Sequence, residues 1–230
     1  MKKIISILIT ITLLITLSAC GASENRQETA DDKKTSARNT ETVKNEEGKI
    51  LIAYFTWADN TEVDNPDSVE VDASTSASVL PPGNVALMAA WIQQEIGGDE
   101  FSIKVNDLYS SNYDECLDRA ADEKADNARP KLTEGVENIE EYETIFLGYP
   151  NWWYAVPMPI LSFIDDNNLS GKKVILFCSH GTGGLADSVN TIAEELPTDC
   201  EVEENVIGIY RDDIPNGQKT IQDWLNEIGY

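Results

Sequence analysis

The sequence predicts a doubly wound α/β domain over residues 49–230, a largely parallel sheet covered by helices on both faces. Three observations predict it. Continuous apolar runs of strand length, rich in β-branched and aromatic residues, recur along the chain, as in strands buried on both faces. Segments of helical periodicity separate them. Strands alternating with helices imply right-handed crossovers, which set successive helices against the sheet.

The elements follow in order. Ile50–Phe55 is the first apolar strand. Residues 57–83, rich in Asp, Ser, Pro and Val, then interrupt a strand-to-helix turn that is usually short. Asn84–Ile96 is a helix with Val85, Met88, Ala89, Ile92 and Ile96 near one face, and Gly97-Gly98 ends it. Phe101–Val105 alternates, as an outer strand does. Tyr113–Ala128 is a charged, Ala-rich helix whose apolar side is Leu117, Ala120 and Ala121. A second long connection, 126–143, leads to the central strand Thr144–Tyr149. Pro157–Asp166 is a helix opened by prolines, which suit a first turn. The strand Lys173–Cys178, the helix Leu185–Leu196, the strand Asn205–Tyr210 and the helix Pro215–Ile228 complete the set.

The chain has 230 residues, 41% of them hydrophobic, which suits one folded domain plus extra segments. Its formal charge of −24 repels nucleic acid and anionic lipid head groups and attracts a basic partner. The N-terminus stands apart. Lys2 and Lys3 precede an apolar stretch, Ile4–Leu17, too short and wrongly flanked for a membrane span. Residues 1–19 therefore read as a secretory signal peptide. Leu17-Ser18-Ala19-Cys20 resembles the lipobox of bacterial lipoproteins, which implies a diacylated Cys20 at the mature N-terminus. The expected location is extracytoplasmic, with the lipid as the only membrane contact. Residues 21–48 are almost wholly polar and suit a solvated tether, so 20–48 joins the lipidated Cys to the domain. Cys116, Cys178 and Cys200 match no zinc or C-x-x-C spacing, and Cys178 reads as a small buried hydrophobe.

Chemistry is expected beyond the carboxyl ends of the strands, where an open parallel sheet binds ligands. Three loops leave those ends. The first runs from Thr56-Trp57-Ala58 and resumes at Gly83-Asn84-Val85. Gly83-Asn84 precedes a helix, whose free N–H groups and dipole suit a phosphate, and Asn84 is a candidate cap. No Lys follows the glycine, which excludes a Walker-type loop. The second loop, Pro150-Asn151-Trp152-Trp153-Tyr154, offers flat aromatic faces for a planar heterocycle. The third, Ser179-His180-Gly181-Thr182-Gly183-Gly184, lets backbone approach a ligand and carries the single histidine. No His-and-carboxylate cluster suggests a metal. The chain lacks G-x-S-x-G and any second histidine, which argues against a serine hydrolase. Together the loops imply a site with a phosphate end and a flat aromatic end.

Those residues carry a family resemblance. Leu51–Thr56, Gly83-Asn84, Leu147–Trp153 and Phe177–Gly184 resemble the flavodoxin family, in its branch with a Y-P-x-W-W loop. The resemblance spans about residues 49–230. It implies a five-stranded parallel sheet of order 2-1-3-4-5 and non-covalent FMN. Carried over, Thr56, Trp57, Ala58, Gly83, Asn84 and Val85 hold the phosphate; Pro150–Tyr154 and Ser179–Gly184 flank the isoalloxazine. The family usually has Thr or Ser after Gly-Asn, and Val85 removes that hydroxyl. The function it implies is electron transfer to a redox partner protein or a small-molecule acceptor, without catalytic side chains. Acidic and aromatic surroundings would then disfavour the anionic reduced flavin. An FMN-dependent NAD(P)H or quinone reductase is the alternative on the same scaffold, with loop 57–83 as a substrate lid. A ligand-binding lipoprotein without redox activity is the alternative of another class.

Overall fold

A computed structural model describes residues 48–75 and 78–230. The expected signal peptide, Cys20 and residues 21–47 of the tether lie outside the described residues. No helix among the described residues is long and apolar enough to cross a membrane.

The sheet is parallel throughout, with six strands: β1 (Lys49–Tyr54), β2 (Asp99–Ser102), β3 (Tyr142–Pro150), β4 (Lys173–His180), β5 (Glu201–Val202) and β6 (Ile207–Tyr210). The spatial order is β2-β1-β3-β4, with β5 and β6 both against β4. The expected order holds, but the fifth position is divided. β5 pairs with Lys173–Val174 and β6 with Phe177–His180. Between them, local bonds from Asn205 N–H to Glu203 and from Val206 N–H to Glu204 take the backbone off the ladder.

The helices are α1 (Val71–Thr75), α2 (Asn84–Ile96), α3 (Tyr113–Ala125), α4 (Met158–Asp166), α5 (Ser188–Glu195) and α6 (Gln218–Glu227). Side-chain alternation along the central strands builds two cores. Ile52, Phe146, Ile175 and Phe177 face α2 and α6, meeting Met88, Ile92, Ile221 and Trp224. Leu51, Ala53, Ile145, Leu147, Leu176 and Cys178 face the other way, into the core shared with Cys116, Ile160, Phe163 and Ile192 of α3, α4 and α5.

Three local expectations change. β2 ends at Ser102; beyond it, Asn106 and Thr133 bond to carbonyls of Lys131 and Lys104, so the second long connection takes over the pairing there. α3 buries Cys116 and Ala120, four residues apart, and these two line the cavity described below together with Leu117. The 57–83 segment is not plain loop. It carries 3₁₀ turns at Trp57–Asn60 and Pro66–Ser68 and the helix α1, and it buries Ala73 and Val79 in the core.

Gly148 shows how tightly β3 and β4 pack. A Cβ there would stand 2.2 Å from the ring of Phe177, its cross-strand partner. Gly148→Ala should lower the unfolding free energy by about 1–3 kcal/mol through overpacking, measured by urea denaturation.

Candidate functional site

β1 delivers the first loop. Its turn is fixed by Asn60, which is 0% exposed. The Asn60 amide donates to the carbonyls of Thr56 (2.8 Å) and Ile103 (3.0 Å) and accepts from Val105 N–H (2.8 Å). Trp57 is buried and donates from Nε1 to the Ser110 carbonyl at 3.1 Å. The turn thus holds Thr56 and Ala58 beneath the start of α2. Gly83 has φ +82°, and a Cβ on it would fall 2.2 Å from Thr56 Oγ1 and 3.1 Å from the Ala58 methyl. Only glycine lets the helix begin so close. The Thr56 hydroxyl itself finds no hydrogen-bond partner among the described residues.

Gly83, not Asn84, takes the cap position of α2, and it has no side chain with which to cap the helix. Asn84 instead reaches β4, donating from Nδ2 to Ser179 Oγ at 3.4 Å, and its own N–H is met by Ser78 Oγ at 3.0 Å. The Val85 side chain is buried in the α2–α6 core, so this residue can offer the site only its backbone N–H.

β3 delivers the second loop. Asn151 ties it to the third: its N–H donates to the Ser179 carbonyl (2.8 Å) and its side-chain amide to the Gly184 carbonyl (2.5 Å). Trp152 and Ala155 exchange two backbone bonds around a tight turn. Its central residues, Trp153 (φ +51°) and Tyr154 (φ +59°), occupy left-handed positions that favour Asn and Gly. Such backbone costs of order 1 kcal/mol or more per residue and persists only where surroundings enforce it. Here Trp153 Nε1 donates to the Leu117 carbonyl (2.9 Å), Lys124 to the Trp153 carbonyl (2.6 Å) and Asp187 N–H to the Tyr154 carbonyl (3.2 Å).

Trp152 is held edge-on by Phe55 (5.4 Å), Tyr109 (5.3 Å) and Trp57 (6.4 Å). Tyr109 is fixed in turn. Its hydroxyl donates to Glu123 at 2.6 Å, the Arg119 guanidinium lies 4.0 Å from its ring centroid, and Arg119 Nε donates to the same carboxylate at 2.8 Å. Burial, then the Glu123 charge, push the Tyr109 hydroxyl well above its ordinary pKa. Trp152 is therefore braced in part as packing, whereas Trp153 (43% exposed) and Tyr154 (63%) stand at the mouth.

β4 delivers the third loop. The Tyr154 ring lies over Gly183, where a Cβ would come within 2.9 Å of it. His180 Nδ1 is 2.8 Å from the Gly181 carbonyl, and its ring lies beside Gly208 of β6.

Between the loops is an open cavity of about 290 Å³. Trp57, Asn84, Pro150, Asn151, Trp152, Trp153, Tyr154, Ser179, His180, Gly181, Thr182 and Gly183 line it, all of them predicted. Thr56, Ala58, Gly83, Val85 and Gly184 lie outside the lining: three form the floor under α2, Val85 is in the core, and Gly184 holds Asn151. Sequence reasoning missed Ser78 from the insertion, Tyr113, Cys116, Leu117 and Ala120 from α3, and Arg211 after β6. Burial pushes the Cys116 thiol up to about 12, so it faces the cavity as a neutral group. Among the described residues no carboxylate lines the cavity.

The profile of the flavodoxin family matches residues 83–228. The chain belongs to the flavodoxin family. The match begins at Gly83, where the insertion ends. Solved structures share the fold. A Bacteroides eggerthii DSM 20697 protein assigned as a flavoprotein is 27% identical, with 80% of this chain and 99% of that one covered and a TM-score of 0.58. One from Bacteroides uniformis ATCC 8492 is 22% identical over 78% of this chain and 98% of that one, with a TM-score of 0.56. A Lactobacillus acidophilus NCFM flavoprotein in complex with FMN is 20% identical over 75% of this chain and 99% of that one, at 0.52. No curated protein matches.

Asn60→Ala would leave two buried carbonyls and one buried N–H without their partner. It should destabilise the domain by about 2–4 kcal/mol, read from the shift in urea midpoint at unchanged slope.

Proposed function

We propose that this flavodoxin-family chain is an FMN-binding redox protein that works tethered to the outer face of a bacterial cell membrane through a lipidated Cys20. One observation carries the FMN reading: a single cavity joins the N-terminus of α2, which starts at Gly83 and Asn84, to a mouth of tryptophan and tyrosine. At the first end the Thr56 hydroxyl and the Val85 N–H, above Trp57, Ala58 and Gly83, suit a dianionic phosphate, which would also take the Asn84 N–H from Ser78 Oγ. The Ser78 hydroxyl, already bonded to the Asn84 N–H, adds a donor where Val85 has none. At the other end Pro150–Tyr154 and Ser179–Gly184 would flank the isoalloxazine. The flavoprotein–FMN complex of the same fold supports the assignment.

When bound, FMN would supply the redox chemistry. The chain's residues bind it, orient it and keep water from its inner face; no nucleophile or general base is needed. Transfer of electrons to or from a redox partner protein or a small acceptor is the primary reading, and the charge of −24 favours a basic partner. A second reading, an NAD(P)H or quinone reductase, is favoured by the openness of the mouth, where Trp153 and Tyr154 leave room for a substrate.

Titration of the purified protein into FMN should quench flavin fluorescence at one-to-one stoichiometry. Riboflavin, which lacks the phosphate, should bind at least about tenfold more weakly, a difference of about 1.4 kcal/mol. Gly83→Ala should abolish that preference. Absence of quenching in the unaltered protein would refute FMN binding. Anaerobic bleaching of the bound flavin by NADH or NADPH would select the reductase over the carrier.

A further inference from the structure

We infer that Arg211 sets how readily the bound flavin is reduced, and that its charge suits the site to two-electron reduction. This rests on the FMN reading above.

Arg211 is the fully charged side chain among the residues that line the cavity. Its backbone N–H donates to the His180 carbonyl at 2.9 Å, which anchors it beside the third loop. Its guanidinium presses on that loop: a Cβ on Gly181 would stand 3.3 Å from Nη1. Gly181 thereby gives the guanidinium room against the segment proposed to flank the ring.

The charge is only partly offset there. Among the described residues its carboxylate partner is Asp212, at 3.7 Å from Nε and 68% exposed, so water screens it. Tyr210 lies 5.7 Å away with its ring toward the guanidinium. The Arg211 side chain is only 28% exposed, so its field is less screened on the cavity side than in bulk water. A chain with 41 acidic residues therefore presents a cation, and among the described residues no carboxylate, to its own cavity.

The sign follows from charge alone. The oxidised isoalloxazine is neutral. Hydride transfer from a reduced nicotinamide would deliver one hydrogen and two electrons, oxidising the nicotinamide and leaving one negative charge on the ring. A nearby cation lowers the free energy of that charged product and leaves the neutral form nearly untouched. The potential therefore rises wherever in the cavity the ring lies, and only the size depends on distance. This favours a hydride acceptor over a low-potential one-electron shuttle.

The test is a dye-equilibrated reductive titration of the FMN-loaded full chain. Arg211→Gln should lower the two-electron midpoint, with about a tenfold loss of preference for reduced over oxidised FMN, which is about 30 mV. Arg211→Lys should retain most of the wild-type value. Asp212→Asn, which removes the screening carboxylate, should shift the midpoint upward. The difference between wild type and Arg211→Gln should shrink near 1 M salt, where the Debye length is about 3 Å. An Arg211→Gln midpoint equal to or above wild type overturns the inference, as does an Asp212→Asn midpoint below it. Failure of the wild type to quench FMN would instead refute the reading beneath it, before any potential is measured.

Discussion

One buried amide decides where the site can form. Asn60 bonds two carbonyls and one N–H from both sides of the β1–β2 edge, and so the chain leaving β1 must turn at Thr56 rather than run on. That turn puts the Thr56 hydroxyl where a side chain on Gly83 would be, and it closes the distance between β1 and the start of α2. The 57–83 insertion can therefore be long without dispersing the site. Its two ends meet beneath one helix, and buried Ala73 and Val79 pin its middle to the core. Such anchoring argues for a fixed wall more than for the lid that its length suggested.

The second loop solves a different problem. Two bulky residues occupy turn positions better suited to Asn and Gly, and bonds from α3 and from Asp187 hold them there. Strain of this kind keeps aromatic faces at the mouth when packing alone would fold them under. Trp152 shows the contrast: with no such constraint it settles among Phe55, Trp57 and Tyr109. The Arg119–Tyr109–Glu123 bracket then stiffens that cluster from behind.

The central strands were legible because burial on both faces leaves nothing but apolar runs, and α2 was legible to the residue because Gly83 and Gly97 bound it. Outer strands carry weaker signals. The alternation Phe101–Val105 continues past the real ladder, and the pair Glu203-Glu204 hides a break within the fifth position. Of the site, the three loops stood out by their glycines and aromatics. Ser78, the α3 face and Arg211 did not, since each reaches the cavity through tertiary placement and has no local pattern of its own. Arg211 matters most among these: it brings a cation to the cavity of a chain whose net charge is −24.

The most direct measurement is a crystal structure of the full chain grown with FMN. The account predicts phosphate density touching the Thr56 hydroxyl and the first N–H groups of α2, with the tricyclic ring between the Trp152–Tyr154 turn and the Ser179–Gly184 loop. A cavity closed by Trp153 and Tyr154, or a flavin bound on any other surface, would contradict it.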